Sequence, residues 1–250
     1  MALFEPRAAA PKLIRHLLIE KDGAVRFKVL RALVKLRRSN PELTLDEEPL
    51  RRVVDTTLDH AEELRRWGVG LAGAGDDAPP ASVAGGDPLQ AGHHLLIDLV
   101  RDKELHARQR LFMLFELLHG EDFEEIERGL RSRKPKTRAS SLELVENLVP
   151  APYRARVVAL VGEAAVEGPA PAYERTLAEM LEKGGSTMRT IAEYRAMELG
   201  LDVATITGRR PSQAPAIDSL GKRFVDRARD LLAPTDEAPL ATSGVSRAPA

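Results

Sequence analysis

The stretch DGAVRFKVLRALVKLRRSNP, residues 22–41, decides the fold. Val29, Leu33 and Leu36 follow Arg26 at offsets of three, seven and ten, which selects one face of a helix with about 3.6 residues per turn. Asp22-Gly23 breaks the preceding run PKLIRHLLIE (11–20), and Ser39-Asn40-Pro41 stops the helix that follows. The segment therefore reads as helix, turn, helix.

The same frame recurs outward along the chain. Arg108 is followed by Leu111, Phe115 and Leu118; Arg138 by Ser141, Val145 and Leu148; Arg189 by Ala192, Ala196 and Leu199. Eight residues before each arginine sits an aliphatic side chain (Leu18, Val100, Leu130 and Leu181), assigned to the helix before the turn. A helical pair of this kind cannot bury its apolar stripe alone and must stack on neighbours. The fold expected is all-α, a short right-handed solenoid of about five helical hairpins.

Further helices are expected from Asp46 through about Trp67, in two pieces between Asp87 and His119 with a break at Asp102-Lys103, and at 122–131, 136–149, 153–166, 172–183 and 187–199. Leu111, Phe112, Leu114, Phe115, Leu117 and Leu118 form the densest apolar run and mark the expected centre of the core. Residues 70–92 are Gly, Ala, Pro and Asp with little to bury, and read as a flexible insertion loop. The repeat domain is expected over 1–208, a capping helix within 209–232, and a disordered Pro- and Ala-rich tail over 233–250.

Composition narrows the function. Lys plus Arg (37) nearly equals Asp plus Glu (38), so the net charge is −1 and gives no global pull toward nucleic acid or an anionic membrane. Cysteine is absent, which removes disulfides, thiolate metal sites and a cysteine nucleophile. Aromatic residues are 4% with one tryptophan, too few for a base-stacking platform. No run approaches the roughly 18 apolar residues of a membrane span. A cytoplasmic protein is expected, held at the inner membrane face only through a partner.

With these units laid out, DGAVRFKVLRALVKLR, LHARQRLFMLFELL and KTRASSLELVENLV resemble HEAT repeats over about residues 8–200. That family often carries an acidic residue six positions before the arginine, forming a ladder between repeats. Glu20 and Asp102 fit, whereas Ser132 and Lys183 do not. More narrowly, residues 25–46, 108–132 and 138–150 resemble the soluble HEAT region attached to bacterial ATP/ADP-translocase-like membrane proteins. This resemblance implies an accessory or regulatory module, and association with a membrane protein.

The arginines Arg26, Arg108, Arg138 and Arg189 are expected to fix the stacking of repeats. The sharpest charge run is RSRKPKTR, where Arg131, Arg133, Lys134 and Lys136 form the candidate anion- or partner-binding patch, ahead of a helix N-terminus. His93 and His94 diverge on a helix, and His94 with Asp98 supplies only two ligands, so no metal is expected. The pairs Glu62-Glu63, Glu124-Glu125 and Glu143 with Glu146 lie beside Arg and Lys and read as ion pairs. GLAGAG (70–75) lacks the strand and lysine of a phosphate loop, and Ser140-Ser141 reads as close helix packing.

No catalytic constellation and no cofactor emerge. The leading expectation is a non-enzymatic protein-interaction scaffold. The alternatives are a DNA-glycosylase-like HEAT enzyme, disfavoured with nucleic acid generally by the charge balance and the lone Trp67, and a regulatory module binding anionic lipid or nucleotide through 131–138.

Overall fold

A computed structural model describes residues 5–73, 91–162 and 171–207. These form α1 (Pro6–Ile19), α2 (Gly23–Ser39), α3 (Glu47–Ala72), α4 (Ala91–His119), α5 (Phe123–Leu130), α6 (Pro135–Leu148), α7 (Ala151–Val161), α8 (Tyr173–Lys183), α9 (Ser186–Glu198) and α10 (Val203–Thr207), with no strand among the described residues. The fold is all-α.

Aspartates begin four of these helices, Asp202 among them, whose carboxylate accepts the Ala204 N–H at the start of α10. The Asp22 carboxylate accepts the N–H groups of Ala24 and Val25, Asp46 accepts that of Glu48, and Asp122 those of Glu124 and Glu125. Each satisfies donors that have no partner within the helix and favours the positive end of its dipole. Gly120 ends α4 with φ of +79°, a left-handed conformation that glycine adopts without steric cost.

The core is organised on α3 and α4, which pair antiparallel along their lengths. Gly68 lies beside Val100, and His119 lies in the field of Arg51 and Glu47. On α3, Leu50, Val53, Val54, Thr57, Leu58, Ala61, Leu64, Trp67 and Leu71 make one continuous buried stripe. Leu111, Phe112, Leu114, Phe115 and Leu117 of α4 are buried as expected, with Leu118 partly so. Buried side chains on several faces of α4 place it between neighbours: α2, α3, α5 and α9 all pack on it.

Around this pair, α1 packs on α3 while α2 packs on α4, and α8 packs on α3 while α9 packs on α4. The helices between leave that order. Phe123 of α5 packs on Phe112 and Phe115 at the C-terminal part of α4, with ring centroids 6.1 and 5.7 Å apart. α6 pairs with α5, and α7 returns to α3, where Arg156 bonds Asp59 and Glu62.

Three expectations are corrected. α4 runs unbroken through Asp102-Lys103, because neither residue removes a backbone hydrogen bond or requires a non-helical conformation. Gly70, Leu71 and Ala72, read as the start of a loop, belong to α3, which Gly73 caps, with Gly70 and Leu71 buried. Ala91 and Gly92, read as the end of that loop, belong to α4. A Cβ on Gly70 would collide with Thr176 Oγ1 of α8, so glycine serves close helix approach. The helix read over 11–20 begins earlier, with Pro6 at its start, and Pro11 lies within it. The rest of the expected loop (74–90), the capping helix and the tail lie outside the described residues. Among the described residues no helix is long and apolar enough to cross a membrane.

Candidate functional site

The four frame arginines divide into two kinds. Arg26, Arg138 and Arg189 each close the first turn of a helix that follows a turn: their N–H groups bond the carbonyls of Asp22, Lys134 and Gly185 at 2.9, 3.1 and 2.9 Å. Arg108 instead lies deep within α4, in the same helix as Val100. Its copy of the frame is therefore not a helical hairpin. The side chains also differ: Arg26 donates to Thr57 Oγ1 at 3.3 Å, and Arg189 Nε donates to the Gly184 carbonyl at 2.9 Å, tying α9 to the end of α8. Arg154 does the same across the α6–α7 turn, through Nε to the Val149 carbonyl at 3.1 Å, and its own N–H bonds Pro150. Arg154 keeps the frame downstream, with Val157, Val161 and Ala164 at offsets of three, seven and ten, but Glu146 stands eight positions before it in place of an aliphatic residue, and sequence reasoning missed it. The shared signal is an arginine four residues into the helix after a tight turn.

The patch at 131–138 is dispersed. Arg131 caps α5 and pairs with Glu127 at 2.9 Å, Lys134 stands at the N-terminus of α6, and Arg133, Lys134 and Lys136 are exposed. Three other singled-out residues have polar partners. His93 Nδ1 lies 3.0 Å from the Tyr173 hydroxyl, Glu63 lies 3.6 Å from Lys183 Nζ, and Glu124 pairs with Arg38 and Arg128. Ser141 is buried against Gly129, where a Cβ would strike its Oγ, so this serine does serve close packing of α6 on α5. No group of three or more His, Asp and Glu side chains is arranged to hold a metal among the described residues.

Arg131 does line a larger feature. A groove of about 730 Å³ runs between α2, α4 and α5. Phe27, Val34, Phe112 and Met113 give it an apolar floor, α2 gives it a cationic wall of Lys28, Arg31, Lys35 and Arg38, and Glu116, Glu124 and Glu127 face that wall. The wall follows from the spacing of α2, since residues three, four and seven apart share a helical face. Arg38 bridges to Glu116 and Glu124, and Arg131 to Glu127, so two cations already hold the acidic side. Lys28, Arg31 and Lys35 make no ion pair among the described residues, although Arg31 lies over the Phe27 ring at 5.9 Å. The groove thus offers apolar surface beside uncompensated positive charge. No protein-family model matches the chain, and neither a curated protein nor a solved structure is similar to it.

Proposed function

We propose that this protein is a non-enzymatic interaction scaffold built from HEAT-like helical hairpins, and that the groove between α2, α4 and α5 receives an acidic amphipathic helix of a protein partner. The α1–α2, α3–α4 and α8–α9 pairs supply the side-by-side order of such hairpins, with α5–α7 as an excursion from it. One observation carries the binding role: three cations without carboxylate partners beside an apolar floor whose Phe27 and Met113 are partly exposed. A helix laid in such a groove buries its apolar face and sets its charges against the wall.

Panning a helical peptide library against the full chain tests the chemistry. Sequences with apolar residues at helical spacing and carboxylates along one edge should be enriched. Their affinity should fall at least tenfold in Lys28→Glu/Arg31→Glu/Lys35→Glu, whose thermal midpoint should stay near that of the parent because these side chains form no internal ion pair. Selected peptides without acidic character, or equal binding by the triple variant, would overturn the assignment.

A further inference from the structure

Where α1 and α2 meet the central pair, two guanidiniums are packed into the protein without an anion. Arg110 of α4 is only 8% exposed, and its NH1 lies 3.4 Å from the position a Cβ would take on Gly23, the first residue of α2. Arg26, one turn into α2, is close enough to Arg110 for its charge to oppose that of Arg110. The Nε atoms of both are buried and have no hydrogen-bond partner. Burial, and then Arg26, push the Arg110 guanidinium down to about 10, and burial likewise lowers Arg26. A buried ion without a counter-charge is among the costliest arrangements a protein can hold.

The nearby carboxylates are committed elsewhere. Asp22 caps α2 through the N–H groups of Ala24 and Val25 at 2.8 and 3.0 Å. Glu20 accepts the Asp22 N–H at 2.7 Å and faces His16, and Glu63 faces Lys183 and His60. No carboxylate among the described residues forms an ion pair with either arginine. Lys103 adds to the positive side of the cluster, His60 is held below its usual 6.5 and is neutral at pH 7.5, and Glu20, Asp22 and Glu63 stand on the negative side. Because Asp22 already occupies the end of α2, attraction for an anion comes from the guanidiniums and not from the helix dipole.

We infer that Arg110 and Arg26 form a binding site for a small phosphate group beside Gly23. A guanidinium presents its donors as a planar fork. A planar carboxylate satisfies one such fork, whereas a tetrahedral oxyanion has oxygens to offer both. Gly23 has no side chain, and the position a Cβ would take there meets only the Arg110 guanidinium, at 3.4 Å and beyond. Neither arginine lines the groove on α2, α4 and α5, so the two sites are independent.

The full chain can be tested by thermal denaturation and calorimetry at pH 7.5 and fixed ionic strength, with inorganic phosphate against chloride. Millimolar phosphate should raise the midpoint by several degrees through preferential binding to the native state, while chloride leaves it in place. Arg110→Lys should weaken phosphate binding at least tenfold, and Arg110→Met should abolish it while remaining at least as stable as the parent in phosphate-free buffer. If Arg110→Met does not fold, Arg110→Lys carries the comparison. Methyl phosphate distinguishes the source: equal affinity assigns the site to the phosphate of a larger molecule, and loss of affinity assigns it to the free ion. A phosphate effect matched by chloride, or one retained in the Arg110 variants, would overturn the inference.

Discussion

Two arginines buried to the same degree, on the two flanks of the central pair, are treated in opposite ways. Arg195, at the junction of α8 and α9 with α4, is 9% exposed. Its Nε donates to the Tyr173 hydroxyl at 3.0 Å and its NH1 pairs with Glu198 at 3.0 Å. Glu198 in turn receives the Gly92 N–H, so the network crosses from α9 to the start of α4. Burial opposes the charge of Arg195, but the bonds to Tyr173 and Glu198 outweigh it and raise its pKa. Arg110, 8% exposed, has no such bonds, and its pKa falls. The difference teaches that a cation in this core marks structure when its donors are spent internally and marks a site when they are not.

The largest expected effect breaks that comparison directly. Arg195→Met leaves the buried Glu198 carboxylate without its cation and should cost about 3–5 kcal/mol in denaturant-induced unfolding. Arg110→Met removes an uncompensated charge and should be neutral or stabilising in phosphate-free buffer. Equal destabilisation by the two substitutions would show that Arg110 has a structural partner.

A second, smaller contrast lies in the glycines of the same junctions. On Gly70 a Cβ would meet Thr176 Oγ1 and approach Pro171 to 3.0 Å, so Gly70→Ala should separate α3 from α8 at a cost of about 1–3 kcal/mol. Gly23 meets only the Arg110 side chain, at 3.4 Å and beyond, and Gly23→Ala should leave stability within about 0.5 kcal/mol. Chemical unfolding of both variants measures the difference. A larger loss at Gly23 than at Gly70 would reverse the assignment of which junction is tightly closed.

These residues also show what the sequence can and cannot disclose. Helix starts at Asp22, Asp46 and Asp122 were legible because capping is local, and the apolar run of α4 was legible because periodicity is local. Gly70 was read as a loop because its neighbours are Gly and Ala. Its purpose is contact with Thr176, more than a hundred positions away. The frame around Arg108 misled for a related reason: a spacing of eight residues does not reveal whether a turn lies between, and α4 continues through it. Of the basic patch, only Arg131 reaches the groove, because the cationic wall belongs to α2 and its acidic counterpart to α4 and α5. Arg110 gave no signal at all. An arginine beside Gln109 on a helix reads as solvated, and its burial arises only when α2 packs over it.

The smallest expected effects concern two histidines, one at each flank. Burial holds His60 below the usual imidazole value of 6.5, aided by Arg110, Lys103 and Arg26; burial and then Arg195 and His94 hold His93 below it. In each case the unfolded chain takes up the proton first, so stability is complete above about pH 6.5 and declines as the pH falls toward the folded-state value. Burial works to raise Glu179, but hydrogen bonds from Arg66 and Trp67 with the charges of Arg66 and Lys183 together lower it, so it adds a separate loss only below its usual 4.5. His93→Gln and His60→Gln should therefore each flatten the decline of thermal stability between neutral pH and pH 5, leaving the more acidic limb in place. Phosphate separates the two flanks. An anion on Arg110 and Arg26 cancels the positive field that depresses His60, so the His60 pKa followed by NMR should rise when phosphate is added. His93 answers to Arg195, whose charge is already balanced by Glu198, and its titration should not move. Parallel shifts of both histidines would mean that phosphate screens the protein generally, and the contrast between a spent and an unspent arginine would lose its basis.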